Sequence, residues 1–133
     1  MTIRTLLFTT AALAFAVPFA HADDIHAGGA IRTLPTAKGE ILTDANGMAL
    51  YIHTKDGVGT SNCYDQCAKN WPPLTAAQGA TVTDDDYTLI QRKDGTQQWA
   101  HNGRPLYRYV KDKKAGEISG DGADGGAWHA ARE

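Results

Sequence analysis

The sequence predicts an all-β fold: a small antiparallel β domain made of two pseudo-repeats, with hairpins and at most one short helix. Three observations lead there. Asn46-Gly47 and Asn102-Gly103 each stand between short apolar runs, and both residue types tolerate the positive φ of a tight hairpin turn. No stretch of a dozen residues carries an apolar stripe of helical period. One segment occurs twice: Gly47-Met48-Ala49-Leu50-Tyr51-Ile52-His53-Thr54-Lys55-Asp56 and Gly103-Arg104-Pro105-Leu106-Tyr107-Arg108-Tyr109-Val110-Lys111-Asp112 share Gly, Leu, Tyr, Lys and Asp in place. Such a repeat suggests halves that bury their apolar faces only together.

The chain opens on a targeting signal. Arg4 supplies a positive start, residues 6–19 are apolar, and Ala20-His21-Ala22 is an A-x-A cleavage site, so residues 1–22 read as a signal peptide cut after Ala22. The apolar run is short for a membrane span and contains Pro18, so no transmembrane span is expected in the mature chain. The expected destination is the periplasm or the medium.

Residues 23–38 read as an N-terminal lead-in with a short strand at 30–34 and with His26 in a mobile stretch. A single β-rich domain then covers 39–133, with repeats at about 39–75 and 87–132. Residues 40–43 and 48–52 flank the first Asn-Gly turn as strands. Residues 61–70 are the one helix candidate, capped by Asn62 and ended by Trp71-Pro72-Pro73. Residues 76–86 are polar and read as loop. Three strands at 87–92, 96–101 and 105–110, turning at Lys93-Asp94-Gly95 and at Asn102-Gly103, make a meander. All three phenylalanines fall within residues 1–22. The core therefore falls to Trp71, Trp99, Trp128, Leu50, Tyr51, Leu106 and Tyr107.

Composition narrows the function. The chain has 133 residues and a net charge of −2, without the basic excess of a general nucleic-acid binder. Two cysteines are too few for an iron–sulfur cluster or a four-cysteine zinc site within one chain.

The two Asn-Gly turns, the Leu-Tyr-x-aromatic-x-x-Asp strand end at Leu106 to Asp112 and the Cys63-x-x-x-Cys67-Ala-x-Asn-Trp-Pro-Pro segment together resemble the bacterial "secreted repeat of unknown function" family. That family is also described as predicted lipoproteins with a Y-x-(F/W/Y)-x-x-D motif. The repeat motif falls on Tyr107, Tyr109 and Asp112 in the second copy, and on Tyr51, His53 and Asp56 in the first, where His53 replaces the aromatic. The segments Gly120-Asp121-Gly122 and Gly126-Ala127-Trp128-His129 also fit. The resemblance covers roughly residues 39–132. It implies an exported domain and brings no known activity. This chain lacks the lipid-bearing cysteine of many relatives.

Several residues are candidates for chemistry. Cys63 and Cys67, an even pair in an exported chain, are expected to form a disulfide that pins the loop before Trp71. As thiolates they would instead suit copper. His53, His101 and His129 are candidate ligands for copper or zinc if the fold brings them together. Asp56 and Asp112 are expected to accept backbone N–H groups of the glycine-containing loops that follow them, with paired acid–base work as the alternative. The Gly/Asp-rich residues 120–126 lack the further oxygen ligands of a calcium loop and read as a turn.

The sequence contains no P-loop, nucleophile elbow, dinucleotide fingerprint or H-E-x-x-H. The expectation is a non-enzymatic envelope module without a cofactor. It would bind an envelope protein, a polymer or a small ligand through an exposed aromatic face. The alternative is a periplasmic metal-binding or redox protein using Cys63, Cys67, His53, His101 and His129.

Overall fold

The computed structural model describes residues 24–133. The signal segment and its cleavage point lie outside the described residues. Eight strands, two short α-helices and a 3-10 turn at Ala27–Gly29 make up the order β1 (Ile25–His26), the 3-10 turn, β2 (Ile31–Thr36), β3 (Gly39–Asp44), β4 (Tyr51–His53), α1 (Gln66–Asn70), β5 (Tyr87–Gln91), β6 (Gln97–His101), β7 (Arg104–Pro105), α2 (Ala123–Gly126) and β8 (Trp128–Ala130). All strand pairings are antiparallel, with sheet orders β1-β2-β3, β4-β8 and β5-β6-β7. The all-β fold of two repeats is as the sequence predicts. Of the meander, the strands near 87–92 and 96–101 form, but the third is only Arg104–Pro105 and not 105–110, because the chain beyond it bonds to Tyr51, Pro72 and Asn70 of the first repeat.

Local chemistry accounts for the turns. At the second Asn-Gly, Asn102 has φ 49° and Gly103 φ 79°, and His101 pairs with Arg104 across them. Two successive positive φ values define the primed turn whose twist suits a hairpin. At the first Asn-Gly only Gly47 is positive, and the loop is longer. Asp44 shapes it by accepting the N–H groups of Asn46 and Met48 on Oδ1 at 2.9 and 3.0 Å. Pro35 lies in β2 beyond the reach of the two-residue β1, where an absent N–H breaks no ladder bond.

The two repeats are interlocked by exchanged tails. In one half, Leu50 N–H donates to Leu42 O (2.9 Å), Leu42 N–H to Ala131 O (2.8 Å) and Ala131 N–H to Leu50 O (2.8 Å). In the other, Leu106 N–H donates to Trp99 O (3.0 Å), Trp99 N–H to Leu74 O (2.9 Å) and Leu74 N–H to Leu106 O (2.9 Å). The third partner in each triangle comes from the opposite repeat. Thus β8 of the second repeat lines β4 of the first, with His53 opposite Trp128. Reciprocally, Arg108 and Val110 donate to the carbonyls of Pro72 and Asn70 at 2.8 and 3.0 Å. Both core clusters draw on both repeats. One holds Ile31, Leu42, Leu50, Tyr87, Trp99 and Leu106, the other Ile41, Tyr51, Cys63, Trp71, Tyr107 and Trp128.

Four further expectations need correction. The boundary before Gly39 falls inside the β2–β3 hairpin, which is paired from Ile31↔Asp44 to Thr36↔Gly39, so the lead-in is part of the sheet. The helix is only Gln66–Asn70 and starts after Asp65, whose φ is 52°. Asn62 does not cap it; its side chain donates to Lys55 O (2.8 Å) and its N–H to Asp56 Oδ1 (2.8 Å). A second helical turn, α2, forms within the Gly/Asp-rich segment, where Asp124 and Gly125 have positive φ. His26 is half-buried and held: its ring stacks on Tyr87 at 4.6 Å, and Nε2 lies 3.0 Å from Glu133 Oε1.

Candidate functional site

The repeat motif builds the centre of the molecule. Tyr51 and Tyr107 are fully buried and face each other on the pseudo-two-fold axis. Their hydroxyls cross to the opposite repeat: Tyr51 donates to Asp112 Oδ2 at 2.5 Å and Tyr107 to Asp56 Oδ2 at 2.6 Å. The second oxygen of each carboxylate orders the loop that follows it. Asp56 Oδ1 accepts Asn62 N–H at 2.8 Å. Asp112 Oδ1 accepts Ser119 N–H at 3.0 Å and the Ser119 hydroxyl. Burial, and then the bond to a carboxylate, pushes both phenols well above the usual tyrosine range. The two carboxylates are thus held by hydrogen bonds of the fold, each in its own loop.

Around this centre the remaining motif rings form one linear stack. Trp71 and Trp128, the tryptophans that end the two repeats, lie face to face at 3.9 Å and 5°. Tyr109 covers the outer face of Trp71 at 4.0 Å, and His53 covers Trp128 at 4.2 Å. Tyr51 and Tyr107 meet the two indoles edge-on at 5.3 and 5.1 Å. Parallel and edge contacts of this kind add about 0.5–1.5 kcal/mol each beyond area burial. Gly120 lets the stack close. A Cβ there would fall 2.7 Å from Trp71 Cη2 and 2.9 Å from Tyr109 Cδ1.

Each end of the stack lines an open cleft. At the Tyr109 end a cleft of about 170 Å3 is walled by Met48, Ala49, Pro72, Arg108, Tyr109, Val110 and Asp112. At the His53 end a cleft of about 260 Å3 is walled by His53, Thr54, Asp56, Gly57, Val58 and Arg104. The walls correspond by repeat position: Tyr109 with His53, Val110 with Thr54, Asp112 with Asp56, and Met48 with Arg104. The two clefts are pseudo-symmetry mates with different chemistry.

The other candidate residues are separated. Cys63 and Cys67 are joined as a disulfide with Cα atoms 5.3 Å apart. His101 is 9% exposed and stacks on Tyr87. Burial holds its imidazole below the usual histidine range, against the pull of Asp86. His129 is exposed, with Nδ1 3.9 Å from Asp121 Oδ1. Among the described residues, no group of three or more His, Cys, Asp or Glu side chains is placed to hold a metal ion.

An exposed aromatic face is not present among the described residues. The large apolar side chains open to solvent are Ile25, Val58, Val82 and Val110. No helix among the described residues is long and apolar enough to cross a membrane.

Sequence reasoning missed a buried cation. Arg92 is 3% exposed and donates to Ser61 Oγ (2.9 Å), Gln98 Oε1 (2.8 Å) and Cys63 O (2.7 Å), with Tyr64 against its guanidinium at 4.3 Å. Its place between Gln91 and Lys93 gives no sign of burial. The helical loop of the first repeat folds over it and tethers it through neutral acceptors.

Comparison with known proteins agrees with this paired architecture. The family described as "secreted repeat of unknown function" matches twice, over residues 32–75 and 88–132. The chain belongs to that family. The two matches coincide with the two interlocked halves, and each ends four residues after its stacked tryptophan. The secreted repeat family describes exported proteins, and that description carries over to this chain. No curated protein and no solved structure matches it.

Proposed function

We propose that this secreted-repeat protein is a non-enzymatic binding module that takes small ligands at the two ends of its ring stack. One observation carries the reading. The motif carboxylates and the Tyr51 and Tyr107 phenols are consumed in holding the repeats together, whereas Tyr109 and His53 at the stack ends line clefts open to solvent. A rigid wall with a few polar groups at its rim is the usual form of a small-ligand site. The Tyr109 cleft offers an aromatic ring, Met48, Pro72 and Val110 together with Arg108 and Asp112, which suits a small aromatic molecule. The fold supplies preorganisation, because Tyr109 and His53 are held against tryptophan faces before any ligand arrives.

The test is a fragment titration followed by NMR. Small neutral aromatics should move the Met48 methyl and Tyr109 ring signals saturably and be recovered unchanged. Shifts confined to residues outside both clefts, or conversion of the fragment, would overturn the reading.

A further inference from the structure

The His53 cleft differs from its twin in a directed way. The positions that carry the fold are identical in the two repeats: Gly47 and Gly103, Leu50 and Leu106, Tyr51 and Tyr107, Asp56 and Asp112. Apart from Asp56 and Asp112, which line both clefts, the paired cleft positions are not. Tyr109, Met48 and Val110 on one side become His53, Arg104 and Thr54 on the other. A phenol ring, a thioether and an isopropyl group are replaced by an imidazole, a guanidinium and a hydroxyl, whereas Arg108 and Asp112 keep the twin cleft partly polar.

The geometry leaves the Arg104 guanidinium with unused capacity and holds the His53 ring with Nδ1 turned into the fold. The His53 side chain is 10% exposed, and its buried Nδ1 makes no hydrogen bond. Asp56 Oδ1 stands 3.5 Å from it, long for a hydrogen bond. Arg104 is exposed and has no carboxylate partner among the described residues. Asp56 shares the wall, but Oδ1 already accepts Asn62 N–H and Oδ2 the Tyr107 hydroxyl. Stacking on Trp128 holds the imidazole, and the neighbouring Asp56 carboxylate is hydrogen-bonded on both oxygens. The loop that carries Val58 is pinned to the second Asn-Gly turn by Gly59 N–H on Gly103 O at 2.7 Å, which fixes the chain at Arg104 beside the cleft.

We infer that the first-repeat cleft is an oxyanion site, in which Arg104 and His53 take the carboxylate or phosphate group of a small ligand. This rests on the binding reading and gives one of its two clefts a ligand class. Guanidinium pairs with both groups through two parallel N–H···O bonds, which a lysine or a methionine does not reproduce. Thr54 adds a hydroxyl to the same wall. A volume of about 260 Å3 suits an anionic head with a few attached atoms, not a polymer segment.

The experiment titrates the folded protein with inorganic phosphate and, separately, with acetate at constant ionic strength. The His53 ring and Arg104 Nε–H signals are followed by NMR. At least one anion should shift both saturably. R104M and H53Y, which install the residues of the twin cleft, should each weaken that binding tenfold or more while leaving the unfolding midpoint within a few degrees. Tighter phosphate binding assigns a phosphate head, and tighter acetate binding a carboxylate.

Shifts reproduced by sodium chloride alone, or binding unchanged in R104M, would overturn the inference. If H53Y fails to fold, R104M at its exposed site decides. If neutral fragments still bind beside Tyr109 while His53 ignores both anions, this inference falls and the binding module stands. If neither cleft takes a ligand, both fall.

Discussion

Tyr51 and Tyr107 exchange both of their backbone hydrogen bonds, at 2.8 and 3.0 Å, and each sends its hydroxyl to the aspartate of the other repeat. A single pair of residues thus closes the sheet contact between the halves and anchors a loop in each. The stability of the molecule should depend on this crossing more than on any surface ion pair.

Y51F removes the hydroxyl that Asp112 accepts and that also receives Gly120 N–H at 3.2 Å. A buried carboxylate oxygen and an amide then lose their partner, at a cost of about 1–3 kcal/mol. Y107F should cost a similar amount by stranding Asp56 Oδ2, while Ser61 keeps its bonds from Arg92 and Cys63 N–H. Urea unfolding at constant m-value measures both. Losses under about 0.5 kcal/mol in both variants would show that the crossed bonds do not staple the halves.

Tyr51, Tyr87 and Tyr107 are each at most 1% exposed, and burial raises all three pKa values above their ordinary 10.0. The unfolded chain releases these protons above pH 10 while the folded chain retains them. Stability is therefore intact below that pH and falls as pH rises beyond it, by up to about 4 kcal/mol per pH unit for three groups. Tyrosinate absorbance from these residues should appear together with the loss of circular dichroism. Their ionisation in the still-folded protein would contradict the packing.

His101 works at the other end of the scale. Its folded pKa lies below the ordinary 6.5 because of burial, with Asp86, Glu133 and Asp84 opposing and His26 adding to the depression. The unfolded chain takes up a proton first as pH falls. Stability should decline from pH 6.5 toward 5 with a slope of up to about 1.4 kcal/mol per pH unit from this group. H101N should flatten that part of the profile. An unchanged slope in H101N would assign the acid sensitivity elsewhere.

The exchanged tails imply that neither repeat folds alone. A chain cut after Ala80, in the polar connection between the repeats, should give two fragments that lack structure separately and regain the native spectrum on mixing. The face-to-face indoles should add a tryptophan exciton couplet that appears only in the mixture. A structured fragment covering residues 24–80 would refute the interlock.

G120A tests the closeness of the stack. Its added methyl meets Trp71 and Tyr109 at under 3 Å. Overpacking of this kind costs about 1–3 kcal/mol. The exciton couplet should weaken and binding beside Tyr109 should loosen, while the Gly103 turn is untouched. A native-strength couplet in G120A would show that the rings have room to yield.

The sequence by itself determined what is local. Asn102-Gly103 named a hairpin because two adjacent residues there adopt positive φ. The spacing of Cys63 and Cys67 allowed the staple that forms. The duplicated strand end marked the two halves, and the tryptophans at their ends were legible as core. The short helix was legible in place but not in extent, because its boundary depends on Asn62 bonding back to Lys55 and Asp56 instead of capping.

Only the tertiary structure decided which copy of the motif serves which. Tyr51 and Asp56 belong to the same repeat, yet the strand ends at His53 and the chain turns, with Asp56 N–H bonding back to His53 O at 3.0 Å, so the aspartate serves the tyrosine of the other repeat. Tyr51 finds its carboxylate 61 residues away at Asp112, and Tyr107 finds its own 51 residues away at Asp56. The stacking order of His53, Trp128, Trp71 and Tyr109, and the two unlike clefts it leaves at its ends, follow from that exchange. No pattern within either repeat encodes it, because partner choice between two near-identical halves is settled by the backbone pairing that brings their tails together.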